Sequence, residues 1–253
     1  MGLNMISTVL IYVIHFVVFL CLGACIGSFL TMLTHRLPNK EDIVFKNSYC
    51  PKCGKKLEIK SLIPIVSYIL QKGKCLECGK KISIRYPLIE ITNCLMYCVL
   101  YVAFGFTFTT LYLCLLFSLL FSIFIADVEH MEIPLHLQFM LLIFAIIYVL
   151  FNPIDPLYSI FSAFVYFLLI EACRLFVEKI KHTDEVLGGA DTNIITVCGL
   201  FLTLHNLPMF FLLMGFFGCF FAIFWKYVKK SKLYPFAVPI VIALFTLILK
   251  NYC

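Results

Sequence analysis

Charge is what this sequence has least of. Asp, Glu, Lys and Arg make up 13% of its 253 residues, whereas 62% are hydrophobic and the mean hydropathy is +1.01. Soluble domains carry roughly 25% charged residues, so a water-solvated surface throughout is excluded. Apolar runs long enough to cross lipid recur along the whole length, which predicts a polytopic, all-α membrane protein. A removable signal peptide is excluded for the first run, residues 5–33. It is too long, has no basic segment ahead of it, and ends in "THRLPNK" rather than in a small-residue cleavage site. Solenoid repeats are also missing, and nothing points to a nucleic-acid partner. Cysteine is plentiful, at thirteen, but nine of these lie in apolar segments or at the extreme end, where cysteine acts as a small apolar residue.

The polar exception runs from His35 to about Arg85 and holds twelve of the 20 Lys and Arg residues. The positive-inside bias places this loop in the cytoplasm. Walking outward from it gives about eight spans: 7–34, 87–105, 107–126, a fourth starting near Pro134 in its first turn, 157–178, a short 192–204, 209–226 and 235–250. In that register the basic clusters "EKIKH" and "KYVKKSK" also face the cytoplasm, and the outer loops have almost no Lys or Arg. The expected organisation is a first membrane helix (1–34), a cytoplasmic tetra-cysteine loop (35–86) and a membrane core (87–253).

The remaining four cysteines form two knuckles, Cys50-Pro-Lys-Cys53-Gly and Cys75-Leu-Glu-Cys78-Gly, separated by 21 residues. Two C-x-x-C-G pairs can supply four thiolates to one tetrahedral zinc, and four protein ligands make such a site structural. A pair of disulfides, or idle thiols, is the alternative, and a cytosolic setting disfavours the disulfides.

Two aspartates stand at span edges, where a carboxylate is costly. Asp127 closes the third span in "FIADVEHMEIP", and Asp191 opens the short sixth in "LGGADTNI". Both fall at the cytoplasmic edge, an arrangement that suits an aspartic-protease dyad, with one carboxyl ionised and the other protonated. Asp191 also suits an ordinary N-cap, and Asp127 an interfacial helix end beside Glu129, His130 and Glu132. Gly188 and Gly189, with Ala190 after them, would let a substrate backbone lie close to Asp191. Glu171, the other acid inside a span, can pair with Arg174. A proton-coupled transporter and a non-catalytic scaffold with a zinc knuckle, serving a pilus or secretion assembly, are the rival classes.

The chain resembles the type IV prepilin peptidases, membrane aspartyl proteases of the GxGD class. "GACIGSFLTMLTHRLP", the cysteine loop through "RYPLIE", "ADVEHMEIP", "LGGAD" and "YPFAVP" carry the resemblance. It implies that Asp127 and Asp191 are catalytic, that the substrates are prepilins or pseudopilins, and that the protein sits in the inner (plasma) membrane with its active site toward the cytoplasm. Cleavage would remove a short basic leader. S-adenosylmethionine is implied as a second cofactor beside zinc, for N-methylation of the new N-terminus, although nothing in the spacing marks its site. The basic loop would contact anionic lipid headgroups. Three positions depart from the family pattern: Ala190 replaces the second glycine, Asn193 stands where lysine is usual, and Leu135 follows Ile133-Pro134.

Overall fold

The computed structural model describes residues 2–37, 41–43, 45–181, 188–229 and 234–252. Parts of two loops expected in the cytoplasm, 182–187 and 230–233, lie outside the described residues. Among the described residues the regular structure is helical, and the only strand-like pairings are two isolated bridges in the cysteine loop. In chain order the helices are α1 (Gly2–Arg36), α2 (Val66–Leu70), α3 (Arg85–Phe104), α4 (Phe108–His130), α5 (Leu135–Phe151), α6 (Pro156–Lys181), α7 (Gly189–Phe201), α8 (Leu207–Lys229) and α9 (Ala237–Tyr252).

Leaving α2 aside, these match the eight expected apolar segments one for one. Five of them, α1, α3, α4, α6 and α8, are long and apolar enough to cross a membrane, and α5 and α9 are shorter apolar helices. The protein is an integral membrane protein. At 13 residues α7 rises only about 20 Å, short of a hydrocarbon core of about 30 Å. Two boundaries differ from the sequence reading. Pro134 is the N-cap of α5 rather than part of its first turn. Helix α4 continues past Asp127 to His130, so that carboxylate sits nearly one turn inside the helix.

The chain divides into two compact units, Met1–Ser118 and Leu119–Cys253. In the first, α1 lies against α3 through a G-x-x-x-G step, Gly23 to Gly27, whose small surface lets two backbones approach closely. A Cβ on Gly27 would stand 2.8 Å from the Glu90 Cα, and one on Gly23 2.8 Å from the Cys94 Cα. Asn93, wholly buried, donates to the Gly23 carbonyl at 2.8 Å and accepts from the Ser118 hydroxyl, which also bonds Tyr97. In lipid a buried polar group needs such partners, and here they tie α1, α3 and the first part of α4 together.

The second unit is built around α7, which packs on α5, α6 and α9, while α8 packs on α9. Ile194, Ile195 and Cys198 of α7 are buried, as is a stripe on α5 (Leu137, Leu141, Ala145, Tyr148) at the three-to-four-residue spacing of one helix face, and the Tyr148 ring meets that of Phe201. At Gly199 the α6 backbone comes so near that an added Cβ would lie 2.6 Å from the Ala163 Cα. The short helix is therefore held on three sides, and its first turn has a fixed position.

Gly27→Leu should force α1 off α3. Overpacking of a tight contact costs about 1–3 kcal/mol, so the unfolding temperature of the detergent-purified protein should fall by several degrees. Scanning fluorimetry reads this, with an equally apolar change at lipid-facing Val13 as the control.

Candidate active site and metal centre

Asp127 projects from the last full turn of α4 and is 5% exposed. Its Oδ2 accepts a 2.7 Å hydrogen bond from the Ala237 N–H, and the Val238 N–H also donates to this carboxylate. Both donors belong to the first turn of α9, where the helix has N–H groups without internal partners. A carboxylate placed there satisfies them and meets the positive end of the helix dipole. Helix α4 then ends through Met131, whose N–H bonds the Asp127 carbonyl at 2.9 Å and whose φ is +54°.

Asp191 sits in the first turn of α7. The N-cap of that helix is Gly188, in extended conformation, so Asp191 is three residues in and not the N-cap itself. Its carboxylate turns back to the Gly188 N–H, the reciprocal half of a capping box. A Cβ on Gly188 would lie 3.2 Å from Asp191 Oδ2, so this residue has no room for a side chain without pressing on the carboxylate. Gly188 and Gly189 are exposed, Ala190 and Asp191 half-buried. The two carboxyls, 64 positions apart in sequence, come near enough for the charge of Asp127 to act on Asp191. The link is α9, which hydrogen-bonds Asp127 and packs on α7.

Three contributors were missed in the sequence. The Ala237 and Val238 N–H groups are invisible to side-chain reading, though the prolines at 235 and 239 bracket a helix start. Tyr234 stands close to Asp191 just before α9. Burial pushes its phenol up, and the neighbouring Cys219 and Asp191 add to this, so it stays protonated. Gln138 is the third. Asn193 donates to Gln138 Oε1 at 2.9 Å, and Gln138 donates in turn to the Ile133 carbonyl at 2.9 Å. The asparagine thus ties the first turn of α7 to the segment between α4 and α5. Leu135 is exposed and makes no polar contact that would explain it. Glu171 pairs with Arg174 at 2.6 Å, as its spacing suggested.

In the first unit Cys50, Cys53, Cys75 and Cys78 converge, with their sulfurs all within 4.8 Å of one another. A tetrahedral ion at about 2.3 Å from each sulfur needs separations of about 3.8 Å, so a small inward movement completes the shell. The knuckles are near copies. Cys50 N–H bonds the Lys55 carbonyl and Cys75 N–H the Lys80 carbonyl, each at 2.9 Å, and a bridge closes each turn. Gly54 (φ +71°) and Gly79 (φ +65°) take a backbone conformation that side-chain-bearing residues avoid. The turns bring the Cys78 and Glu77 N–H groups to the Cys75 sulfur and draw its thiol down to about 7. Lys55 bridges the knuckles by pairing with Glu77. The four thiols can hold a metal ion.

Two family profiles match the chain: the bacterial Peptidase A24 N-terminal domain over residues 21–104 and the type IV leader peptidase family over residues 114–223. Among curated proteins, the prepilin leader peptidase/N-methyltransferase of Vibrio cholerae is 28% identical over 90% of this chain and 92% of its own length. Proteins with the same name from Myxococcus xanthus (32% identical over 74% of this chain and 56% of that protein) and Bacillus subtilis (28% identical over 75% and 74%) are also similar. No solved structure matches.

The converged thiols should bind one divalent ion per chain, measurable by elemental analysis of protein purified under reducing conditions. Metal ligands must be thiolates, so binding should weaken as pH falls through about 7, where Cys75 begins to take its proton. Cys75→Ser should lose most of the metal.

Proposed function

From a chain that belongs to the type IV leader peptidase family, we propose an aspartic endopeptidase in which Asp127 and Asp191 cleave the leader from prepilins or pseudopilins. The observation that carries this reading is that two acids from distant segments lie near enough for the charge of one to act on the other, with Asp127 held on the first turn of α9. A lone interfacial acid would need no such partner. The positive-inside pattern supports placing the site at the cytoplasmic face of the plasma membrane, where a basic leader would wait with its apolar helix in lipid.

The chemistry needs one ionised and one protonated carboxyl, and like charges held together give this naturally, because the pair resists carrying two charges. The ionised member takes a proton from water while the oxygen of that water attacks the scissile carbonyl carbon. The protonated member donates to the carbonyl oxygen. Collapse breaks the C–N bond, the amine leaves with a proton, and no covalent enzyme intermediate forms. Exposed Gly188 offers an approach for an extended peptide beside Asp191. The α9 N–H groups orient Asp127 throughout.

In the same reading the four cysteines hold one structural zinc, which sets the shape of the loop between α1 and α3. Following the relatives' shared name, the new N-terminus is then methylated. When bound, S-adenosylmethionine would supply the methyl group that this amine takes up as it loses a proton.

Asp127→Ala and Asp191→Ala should each abolish cleavage of a purified prepilin, read by the mass of the product N-terminus, with metal content unchanged. The double variant should be no worse than either single one, since the pair acts as a unit. Glu129→Ala, nearby on α4, should keep most activity. Substantial cleavage by either single variant would return the chain to the scaffold class.

The α9 contact has its own test. Proline suits the first position of a helix but lacks the N–H, so Ala237→Pro should leave α9 formed while removing the bond to Asp127. Loss of a hydrogen bond to a charged group should lower kcat by about ten- to a hundredfold. Wild-type cleavage should follow a bell-shaped pH profile whose two limbs belong to the pair.

A further inference from the structure

The stretch "LEIKSLIPIVSYIL", residues 57–70, is an apolar run inside the polar cysteine loop, and its packing is inverted. In α2 the polar side chains turn toward the protein. Ser67, Tyr68 and the following Gln71 line a cavity of about 250 Å³ between the loop and the ends of α1 and α3, and Gln71 donates to the Ser61 hydroxyl at 2.9 Å. Val66, Ile69 and Leu70 stand at the spacing of one helix face and are 47%, 66% and 75% exposed. The turn before α2 repeats the pattern. Ser61 lies inward, and Ile59, Leu62 and Ile63 are exposed. A helix solvated by water does the reverse, with its apolar stripe on the core and its polar side out. Large aliphatic side chains gathered on a surface mark a place of contact with protein or membrane.

This orientation is imposed by the surroundings. Ile65, the N-cap of α2, has φ +62°, a region that β-branched residues avoid. Its N–H is held at 2.7 Å by the buried Glu90 carboxylate of α3. Beyond α2, Lys72 and Gly73 also have positive φ, +50° and +65°, and a Cβ on Gly73 would lie 3.0 Å from the Tyr68 hydroxyl oxygen. Backbone strain persists only where neighbouring structure fixes it, so the outward set of the aliphatic face is built into the first unit.

We propose that residues 59–70 form a monotopic segment lying in the headgroup–acyl boundary of the bilayer, on the side where the cysteine loop emerges. Ile59, Leu62, Ile63, Val66, Ile69 and Leu70 enter lipid. Lipid is the favoured occupant because the loop is tied at each end to a membrane helix, α1 and α3. Ile84, the N-cap of α3, and Leu88 in its first turn are exposed too, where that helix enters the bilayer. Lys60 and Lys72, both exposed, bracket the aliphatic face. Long basic side chains keep their stems in the boundary and their charge among anionic headgroups. This goes beyond contact of a basic loop with headgroups, since apolar side chains reach the acyl region, and it is independent of the peptidase reading. The consequence is that the knuckles ride at a fixed height on the leaflet.

The test uses the full-length protein in nanodiscs of phosphatidylcholine and phosphatidylglycerol, with or without bromine on the upper acyl chain. The one native tryptophan is removed by Trp225→Phe, and Ile69→Trp supplies a reporter on the aliphatic face. Its indole should lose most of its emission to brominated lipid, emit at shorter wavelength than tryptophan in water, and be shielded from aqueous iodide. Val66→Glu with Leu70→Glu should lift the segment. A reporter introduced by Ile63→Trp should then lose its quenching by lipid and gain quenching by iodide, with metal content unchanged as evidence of folding. The proposal is overturned if iodide quenches the Ile69→Trp reporter and brominated lipid does not. It is equally overturned if neither quenches it, the result expected of a face covered by a second copy or by another protein. Unchanged lipid quenching of the Ile63→Trp reporter in the double glutamate variant would also overturn it.

Discussion

The hydrogen bond from the Ala237 N–H to the Asp127 carboxylate organises the second unit. It answers two problems at once. A buried carboxylate in an apolar helix needs donors, and the first turn of α9 has N–H groups that need acceptors. Solving both together fixes α9 against the end of α4. Helix α7 packs on α9, so the position of Asp191 follows. Neither acid has its place by its own helix alone.

Much of this was legible in the sequence. Hydropathy located all eight apolar helices, because a segment that buries its backbone in lipid has few alternatives to helix. The knuckles were legible because thiolate ligands recur at fixed spacing around a glycine with positive φ. Both aspartates stood out because charge is rare here and each instance needs a cause. What did not show was anything carried by backbone. The N–H donors of Ala237 and Val238 leave no mark on residue identity, and the role of Asn193 depends on Gln138, 55 positions away. Asp191 was also misplaced by nearly a full turn in its alternative role. Glycine, with no side chain to cap a helix, occupies the N-cap, and the carboxylate reaches back from within.

Small residues do the same job in each unit. Gly23 and Gly27 let α1 meet α3 at backbone distance, and Gly199 does the same for α7 on α6. Lipid supplies no hydrophobic drive between apolar helices, so close contact and shared polar groups such as Asn93 must provide the attraction.

The clamp between α1 and α3 also changes what the cysteine loop has to do. A chain of nearly fifty residues loses entropy when its ends are brought together, and that loss grows slowly with length. Here the ends are already neighbours once the two helices have met in the bilayer. Capturing a metal then closes only the short inner ring between the knuckles. The loop therefore behaves as an insert on a finished socket. It can lengthen, shorten or be exchanged without disturbing the helices that carry it, provided the two glycines and the buried asparagine stay in place.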